Sequence, residues 1–182
     1  MNNTELYKQT ENNLTLKQRK EIKKNMPALL LDTSGSMNWS VEPGQTRIGA
    51  LRNIVNNLKM AGNIYYFNDV CQACLKDAIP NPAGGTMMSV AFNYLKSQGI
   101  KKVIMITDGE AVDKVEALNA VIGLELQVMF VGSGEVPEFL NELVRVSGGS
   151  FATKENLTLP KELTAKIQLL LGAGTGDQTI CL

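Results

Sequence analysis

The sequence contains no histidine, and it has only three cysteines among its 182 residues. Without histidine, the chain can form neither a Ser-His nor a Cys-His nucleophile pair, and every histidine-ligated metal site is excluded. Three cysteines are too few for a disulfide framework. A metal bound by this chain should therefore be a hard cation held by oxygen atoms.

The sequence also lacks net charge and long apolar runs. Lys and Arg balance Asp and Glu at 18 each, so the composition favours neither nucleic acid nor an acidic membrane as a partner. No apolar run approaches the roughly 20 residues of a membrane helix, and the polar N-terminus is unlike a signal peptide. With 44% hydrophobic residues, the composition is typical of a globular protein. We expect a cytoplasmic protein.

Cys71 and Cys74 have the CxxC spacing that is typical of zinc sites and redox sites. Zinc would need a second pair of ligands, and the chain has no other CxxC. A redox CxxC should open a helix after a strand, whereas these residues lie in a short predicted strand after the turn Asn68-Asp69. Two partly buried thiols are the better interpretation.

Apolar periodicity predicts alternating strands and helices from residue 28 onward. Strands are predicted at 28–31, 64–67, 102–107, 126–131 and 150–153, and helices at 46–61, 87–97, 112–122, 136–146 and 158–171. Continuous apolar strands indicate burial on both faces, so we expect an α/β fold with a doubly wound, mostly parallel, Rossmann-like sheet and helices on both faces.

The domain organisation follows from the same pattern. We expect a helical arm at 1–26, one domain at 27–171 and a glycine-rich tail at 172–182. No internal repeat and no long linker divides the central part of the chain.

Oxygen-bearing side chains stand where predicted strands end and where one helix begins. They are Asp32, Ser34 and Ser36 after the first strand, Thr86 before the helix at 87–97, and Asp108 after the strand at 102–107. Ligands of open α/β sheets bind beyond the carboxyl ends of the strands, where the strand order reverses. If the first strand and the strand at 102–107 are neighbours there, two carboxylates face each other, which requires a cation or a proton between them.

Each of these residues, taken alone, also suits a helix cap or a tight turn. Their joint occurrence at one edge of the sheet predicts a metal site. Mg²⁺ fits best, because it needs only one or two carboxylates and usually keeps several water ligands, whereas Ca²⁺ recruits more carboxylates and carbonyls. Mn²⁺ and Ca²⁺ stay open as alternatives.

The three motifs DTSGSM, GGT and TDGE together resemble the metal-ion-dependent adhesion site of von Willebrand factor A (vWA) domains. The match spans roughly residues 27–171 in order and spacing. The resemblance implies that Ser34, Ser36 and Thr86 ligate the metal through their hydroxyls. It implies that Asp32 and Asp108 act through water, or bind the metal directly in one state.

The resemblance also implies a function. A partner protein would supply an Asp or Glu that completes the metal's coordination, within a multi-subunit assembly that could include an AAA-type ATPase. The loops at 37–45 and 76–85 would then select the partner. Trp39 is either an apolar anchor for that partner or packs on its own loop.

Two other functions stay open. The chain could be a scaffold subunit in which a metal is merely stabilising, or a Mg²⁺-dependent phosphohydrolase, since Mg²⁺ beside an aspartate also describes phosphoryl-transfer sites. Ser34 stands where haloacid-dehalogenase-like phosphatases have their second acid, so we expect no enzyme. Glu110 is either an acid around the metal ligands or, as we favour, a charge in the first turn of a helix.

Overall fold

The computed structural model describes residues 27–58, 63–132 and 134–153. The predicted arm at 1–26, the final helix at 158–171 and the tail at 172–182 lie outside the described residues, so these predictions are not tested. None of the helices in the described ranges has the length and apolar character that crossing a membrane requires.

Strands and helices alternate along most of the described chain. In order they are β1 (Ala28–Asp32), a 3₁₀ turn (Gly35–Asn38), β2 (Ser40–Glu42), β3 (Gln45–Thr46), α1 (Arg47–Asn57), β4 (Ile64–Phe67), β5 (Cys71–Ala73), α2 (Met88–Ser97), β6 (Lys102–Thr107), α3 (Lys114–Val121), β7 (Glu125–Phe130), α4 (Glu138–Ser147) and β8 (Ser150–Thr153).

Six of these strands form one sheet in the order β5-β4-β1-β6-β7-β8. All neighbours are parallel except β4 and β5, which are antiparallel. After β1, the chain adds β4 and then β5 on one side of it. The chain then returns to the other side of β1, where it adds β6, β7 and β8. The strand order therefore reverses between β1 and β6, where Leu31 pairs with Ile106. The predicted doubly wound, mostly parallel sheet is confirmed, and so is the predicted adjacency of its two central strands.

The alternation of side chains in β1 explains why helices cover both faces of the sheet. Leu30 packs into the core beneath α2, α3 and α4. Leu29 and Leu31 point the other way, into a core that α1 covers with Ile48 and Leu51. All five residues of β1 are fully buried. Burial on both faces explains why Ala28–Leu31 is a continuous apolar run, with Asp32 as the one charged residue at the end of the strand.

Local sequence signals also set the helix ends. The Thr46 hydroxyl accepts the Gly49 N–H at 3.2 Å, which caps the start of α1. At the end of α4, Gly148 adopts the left-handed conformation with φ of 66°, which glycine adopts at little cost.

Several helix and strand boundaries differ from the prediction, and two short strands were not predicted. α1 ends at Asn57 because the backbone of Leu58 is already extended. α3 begins at Lys114, two residues later than predicted, since the loop after β6 runs on to Asp113. β2 and β3 form a two-stranded antiparallel ribbon where only a loop was predicted. Strands of three and two residues are too short to produce a recognisable period in the sequence.

Cys71 and Cys74 are both free thiols in the structure. Burial, and then the neighbouring Cys74, raises the pKa of Cys71 to about 12. Burial also raises the pKa of Cys74. Because the thiolate is the reactive form, these groups are poor nucleophiles at neutral pH.

In a Cys181→Ser variant, we expect iodoacetamide at about pH 8 to modify Cys71 on the order of a thousandfold more slowly in the folded chain than in urea, because so little thiolate forms. Tandem mass spectrometry of the peptide that contains both Cys71 and Cys74 locates the modification on Cys71 and measures its rate in each state. Equal rates in the folded and unfolded chain, or one tightly held zinc per chain that Cys71→Ser removes, would contradict this expectation.

Candidate metal site

Asp32 is the last residue of β1, and its carboxylate is fully buried. Oδ1 accepts the Ser34 N–H at 2.9 Å, and Oδ2 accepts the Thr107 hydroxyl at 2.6 Å. The first bond turns the chain so that Ser34 and Ser36 follow on the same side, with their hydroxyl oxygens 3.1 Å apart. The carboxylate therefore organises its own loop and ties that loop to the end of β6.

The end of β6 is arranged in a similar way. The Thr107 hydroxyl oxygen accepts the Gly109 N–H at 3.0 Å, and Asp108 Oδ1 accepts the Glu110 N–H at 3.1 Å. Gly109 has φ of 79°, and a Cβ there would lie 2.8 Å from Leu140, so both backbone conformation and space require glycine. The turn holds Asp108 buried beside the end of β1.

Thr86 reaches the same edge of the sheet through the loop that precedes α2. This loop is bonded to the Ser34 loop, because Gly35 N–H donates to Gly84 O at 3.0 Å. Gly84 has φ of 73°, and any Cβ there would overlap the Asp69 carboxylate. Thr86 itself is buried, and within the described chain no hydrogen bond joins its hydroxyl to another residue.

Asp113 fixes the start of α2 from the loop after β6. Its two carboxylate oxygens accept the N–H groups of Met88 at 3.0 Å and Ser89 at 2.7 Å. Met87, at the cap position of α2, makes no side-chain cap bond. The Val112 N–H also donates to Thr86 O at 3.3 Å. The loop after β6 thus holds Thr86 in place.

Asp32 and Asp108 interact electrostatically across the site. Burial, and then the charge of Asp108, raises the pKa of Asp32 to about 6. Hydrogen bonds from Ser34 and Thr107 to its carboxylate oppose that rise. Two buried carboxylates at one place are the arrangement for which the sequence predicted a cation or a proton.

A positive side chain that the sequence analysis did not assign to the site is also present. The Arg47 guanidinium donates from Nη1 to Asp108 Oδ2 at 2.6 Å and to Glu110 Oε1 at 3.2 Å. The guanidinium carbon lies 5.1 Å from the centre of the Trp39 ring, within the range of a cation–π contact. Arg47 is buried, whereas the side chain of Glu110 is 46% exposed.

The oxygen set fits a small, hard divalent cation. Two ligand oxygens on one edge of an octahedron with bonds of about 2.1 Å stand about 3.0 Å apart, and the Ser34 and Ser36 hydroxyls are 3.1 Å apart. The Thr86 hydroxyl is free to become a third ligand. In the described ranges, no group of three or more Cys, Asp and Glu side chains could hold a metal, so any such site depends on hydroxyl ligands.

The structure thus brings Asp32, Ser34, Ser36 and Asp108 to one edge of the sheet, and it places the loop of Thr86 against them. The prediction that Glu110 is a first-turn helix charge is wrong. Glu110 lies in the loop before α3 and accepts a hydrogen bond from Arg47.

Sequence reasoning missed Arg47, Thr107 and Asp113. The sequence contained one signal for Arg47. It is the first residue of a helix, where a positive charge interacts unfavourably with the helix dipole, so its position indicates a role other than stabilising that helix. Trp39 is 58% exposed and stacks on Arg47. It is therefore accessible to a partner and also packs within this site.

No family model matches the sequence, and no curated protein matches it either. Among solved structures, the chain is similar to an aerotolerance-related membrane protein from Bacteroides fragilis, with a TM-score of 0.57 and 17% identity over 78% of this chain and 98% of that one. A von Willebrand factor type A protein from Catenulispora acidiphila has a TM-score of 0.58 and 17% identity, over 84% of this chain and 43% of that one.

The PilB minor pilin from Streptococcus sanguinis is also similar, with a TM-score of 0.56 and 13% identity over 84% of this chain and 64% of that one. At these identities the comparisons establish the fold. The chain has the vWA fold that its three motifs indicated.

Proposed function

We propose that this chain is a protein-interaction module that binds a partner through a divalent cation at the carboxyl ends of β1 and β6. The observation that carries the proposal is the pair of hydroxyls of Ser34 and Ser36, 3.1 Å apart, beside the buried carboxylates of Asp32 and Asp108. This spacing and chemistry suit neighbouring ligands of Mg²⁺, with Mn²⁺ and Ca²⁺ as alternatives.

The residues of the proposed site have two different roles. Ser34, Ser36 and Thr86 would hold Mg²⁺ through neutral hydroxyl oxygens, while Asp32 and Asp108 supply the negative charge. Mg²⁺ in such a site supplies a Lewis-acidic position that a carboxylate oxygen can fill. Since the direct ligands would be neutral hydroxyls and the two carboxylates would act through water, the cation keeps a strong attraction for an anion in its first coordination shell, and an acidic side chain of a partner protein is the favoured occupant.

The rim of the site supports a protein as the occupant. Trp39 and Val112 are 58% and 69% exposed. The Trp39 ring stacks on the Arg47 guanidinium, and the Val112 N–H donates to Thr86 O. Trp and Arg are among the side chains most enriched at binding hot spots, and Trp39 lies at this rim in contact with Arg47. We propose an Asp or Glu of another protein as the ligand, supplied within an assembly such as one containing an AAA-type ATPase. The cytoplasmic location stays a prediction from the sequence.

Calorimetric titration with Mg²⁺ tests the site directly. We expect saturable binding by the wild-type chain, and at least tenfold weaker binding by Ser34→Ala and Thr86→Ala, because each removes one ligand. Ser40→Ala is the matched control, since Ser40 is an exposed serine in β2. Undiminished Mg²⁺ binding by both site variants would refute the assignment.

Capture experiments with the immobilised chain test the interaction. Partner capture should be lost in EDTA, return with Mg²⁺, and be lost in Ser34→Ala but not in Ser97→Ala, which removes an exposed hydroxyl at the far end of α2. Capture that none of these treatments affects would favour a scaffold role with a stabilising metal. Mg²⁺-dependent phosphatase turnover that Asp32→Asn abolishes would favour an enzyme.

A further inference from the structure

Arg47 places a positive charge inside the proposed metal site. Its Nη1 is bonded to Asp108 Oδ2 at 2.6 Å and to Glu110 Oε1 at 3.2 Å, and it lies 3.5 Å from Ser36 O. The side chains of Arg47 and Asp108 are 8% and 0% exposed. Arg47 is therefore the counter-ion of Asp108 in the structure.

The guanidinium is poorly matched to this position. Nη1 carries two hydrogen atoms but faces three acceptor oxygens, while the buried Nε has no hydrogen-bond partner among the described residues. An arginine that serves only as a structural partner of a carboxylate usually binds it through two parallel N–H groups. Here the contact is through one nitrogen alone, so the guanidinium is incompletely satisfied where it lies.

Two further groups already contact the guanidinium on the open side of the site. Glu110 is half-exposed, and Trp39 offers an exposed ring face at 5.1 Å from the guanidinium carbon. Both groups attract a guanidinium without help from Asp108. Arg47 can thus leave Asp108 and stay bound at the rim.

We propose that Arg47 is a resident cation of the site that competes with the divalent cation for Asp108, so that Mg²⁺ binding breaks the contact between Arg47 and Asp108 and leaves the guanidinium on Glu110 and Trp39. This inference rests on the proposed metal site and deepens it, because it names the residue that sets the affinity. By linkage, the contact between Arg47 and Asp108 weakens Mg²⁺ binding by the same free energy by which bound Mg²⁺ weakens that contact.

Mg²⁺ affinity of Arg47 variants is the first test. Arg47→Met keeps an apolar stem but removes the charge, so we expect it to bind Mg²⁺ roughly 5- to 150-fold more tightly than the wild type. Arg47→Lys keeps the charge and should bind more weakly than Arg47→Met. Arg145→Met removes one positive charge from an exposed side chain that pairs with Glu142, so its affinity should equal that of the wild type.

Fluorescence of the wild-type chain provides a second test that needs no variant to fold. Trp39 is the only tryptophan in the sequence, and it contacts Arg47. Titration with MgCl₂ should change its emission saturably, with the same dissociation constant as calorimetry. The change should be absent in Arg47→Met, whose folding is checked by circular dichroism.

The outcomes separate this inference from the proposed function. Equal Mg²⁺ affinity in wild type and Arg47→Met, or Mg²⁺ binding without a change in Trp39 emission, would overturn the competition and leave the metal site standing. Binding by Arg47→Met but not by the wild type would support the competition. Binding by neither chain would overturn both.

Discussion

Asp113→Ala should lower the free energy of unfolding by about 2–4 kcal/mol, a large fraction of the stability of an ordinary domain. The carboxylate accepts two N–H groups at the start of α2, from Met88 and Ser89. Alanine leaves both donors without a partner and removes a negative charge from the positive end of the helix dipole. Urea unfolding followed by circular dichroism measures the change.

Two further variants show whether the capping contact is the cause. Asp113→Asn keeps one acceptor oxygen, so we expect about half of the loss. Asp77→Ala removes an exposed acid and should change the stability by less than about 0.5 kcal/mol. If Asp113→Ala and Asp77→Ala unfold at the same urea concentration, the cap contributes nothing.

The Asp113 contact also shows where sequence reasoning stops. An aspartate just before a helix predicts a cap for that helix, and Asp113 does occupy the cap position of α3. Its side chain makes no bond there and instead caps α2, 25 residues earlier in the chain. No local pattern distinguishes the two uses, because the difference depends on how two loops pack against each other.

The predicted metal ligands were accessible from the sequence for a physical reason. Asp32 and Asp108 follow two apolar strands, and the carboxyl ends of neighbouring parallel strands must meet at one edge of the sheet. Periodicity identified the strands, so the position of the oxygens followed from topology alone. The structure confirms this topology, with β1 and β6 adjacent and parallel.

Arg47 lacked any such topological constraint. It lies 61 residues from Asp108 in sequence, and a long, flexible side chain at the start of a helix can point to solvent or to the site. Only the packing of α1 against β1 and β6 decides between these directions. For this reason the sequence predicted where the site lies, but not that the site contains the positive charge of Arg47.

The buried carboxyl group of Asp32 should make the stability of the folded chain depend on pH. Its pKa of about 6 in the fold lies above the ordinary aspartate pKa of 3.8, so between these two pH values the folded chain binds more protons than the unfolded chain. The contribution of Asp32 to stability is therefore fully present below about pH 3.8 and is lost as the pH rises through about 6. Over the whole window the loss is roughly 3 kcal/mol.

Asp32→Asn should remove this dependence, because an amide does not ionise in the buried site. In EDTA, we expect the stability of Asp32→Asn relative to the wild type to rise by on the order of 1 kcal/mol between about pH 5 and about pH 7.5. Urea unfolding of both chains at both pH values measures the difference, and the titrations of groups that do not interact with Asp32 cancel in it.

Added Mg²⁺ should shift the stability difference between the two chains in the opposite direction at the higher pH, in favour of the wild type. A cation that binds the folded wild type stabilises it by mass action and favours the ionised form of Asp32, whereas Asp32→Asn offers the cation one negative charge less. Saturating Mg²⁺ should therefore raise the stability of the wild type more than that of Asp32→Asn. A stability difference that changes neither with pH nor with Mg²⁺ would mean that the buried carboxylate of Asp32 serves only its hydrogen bonds to Ser34 and Thr107.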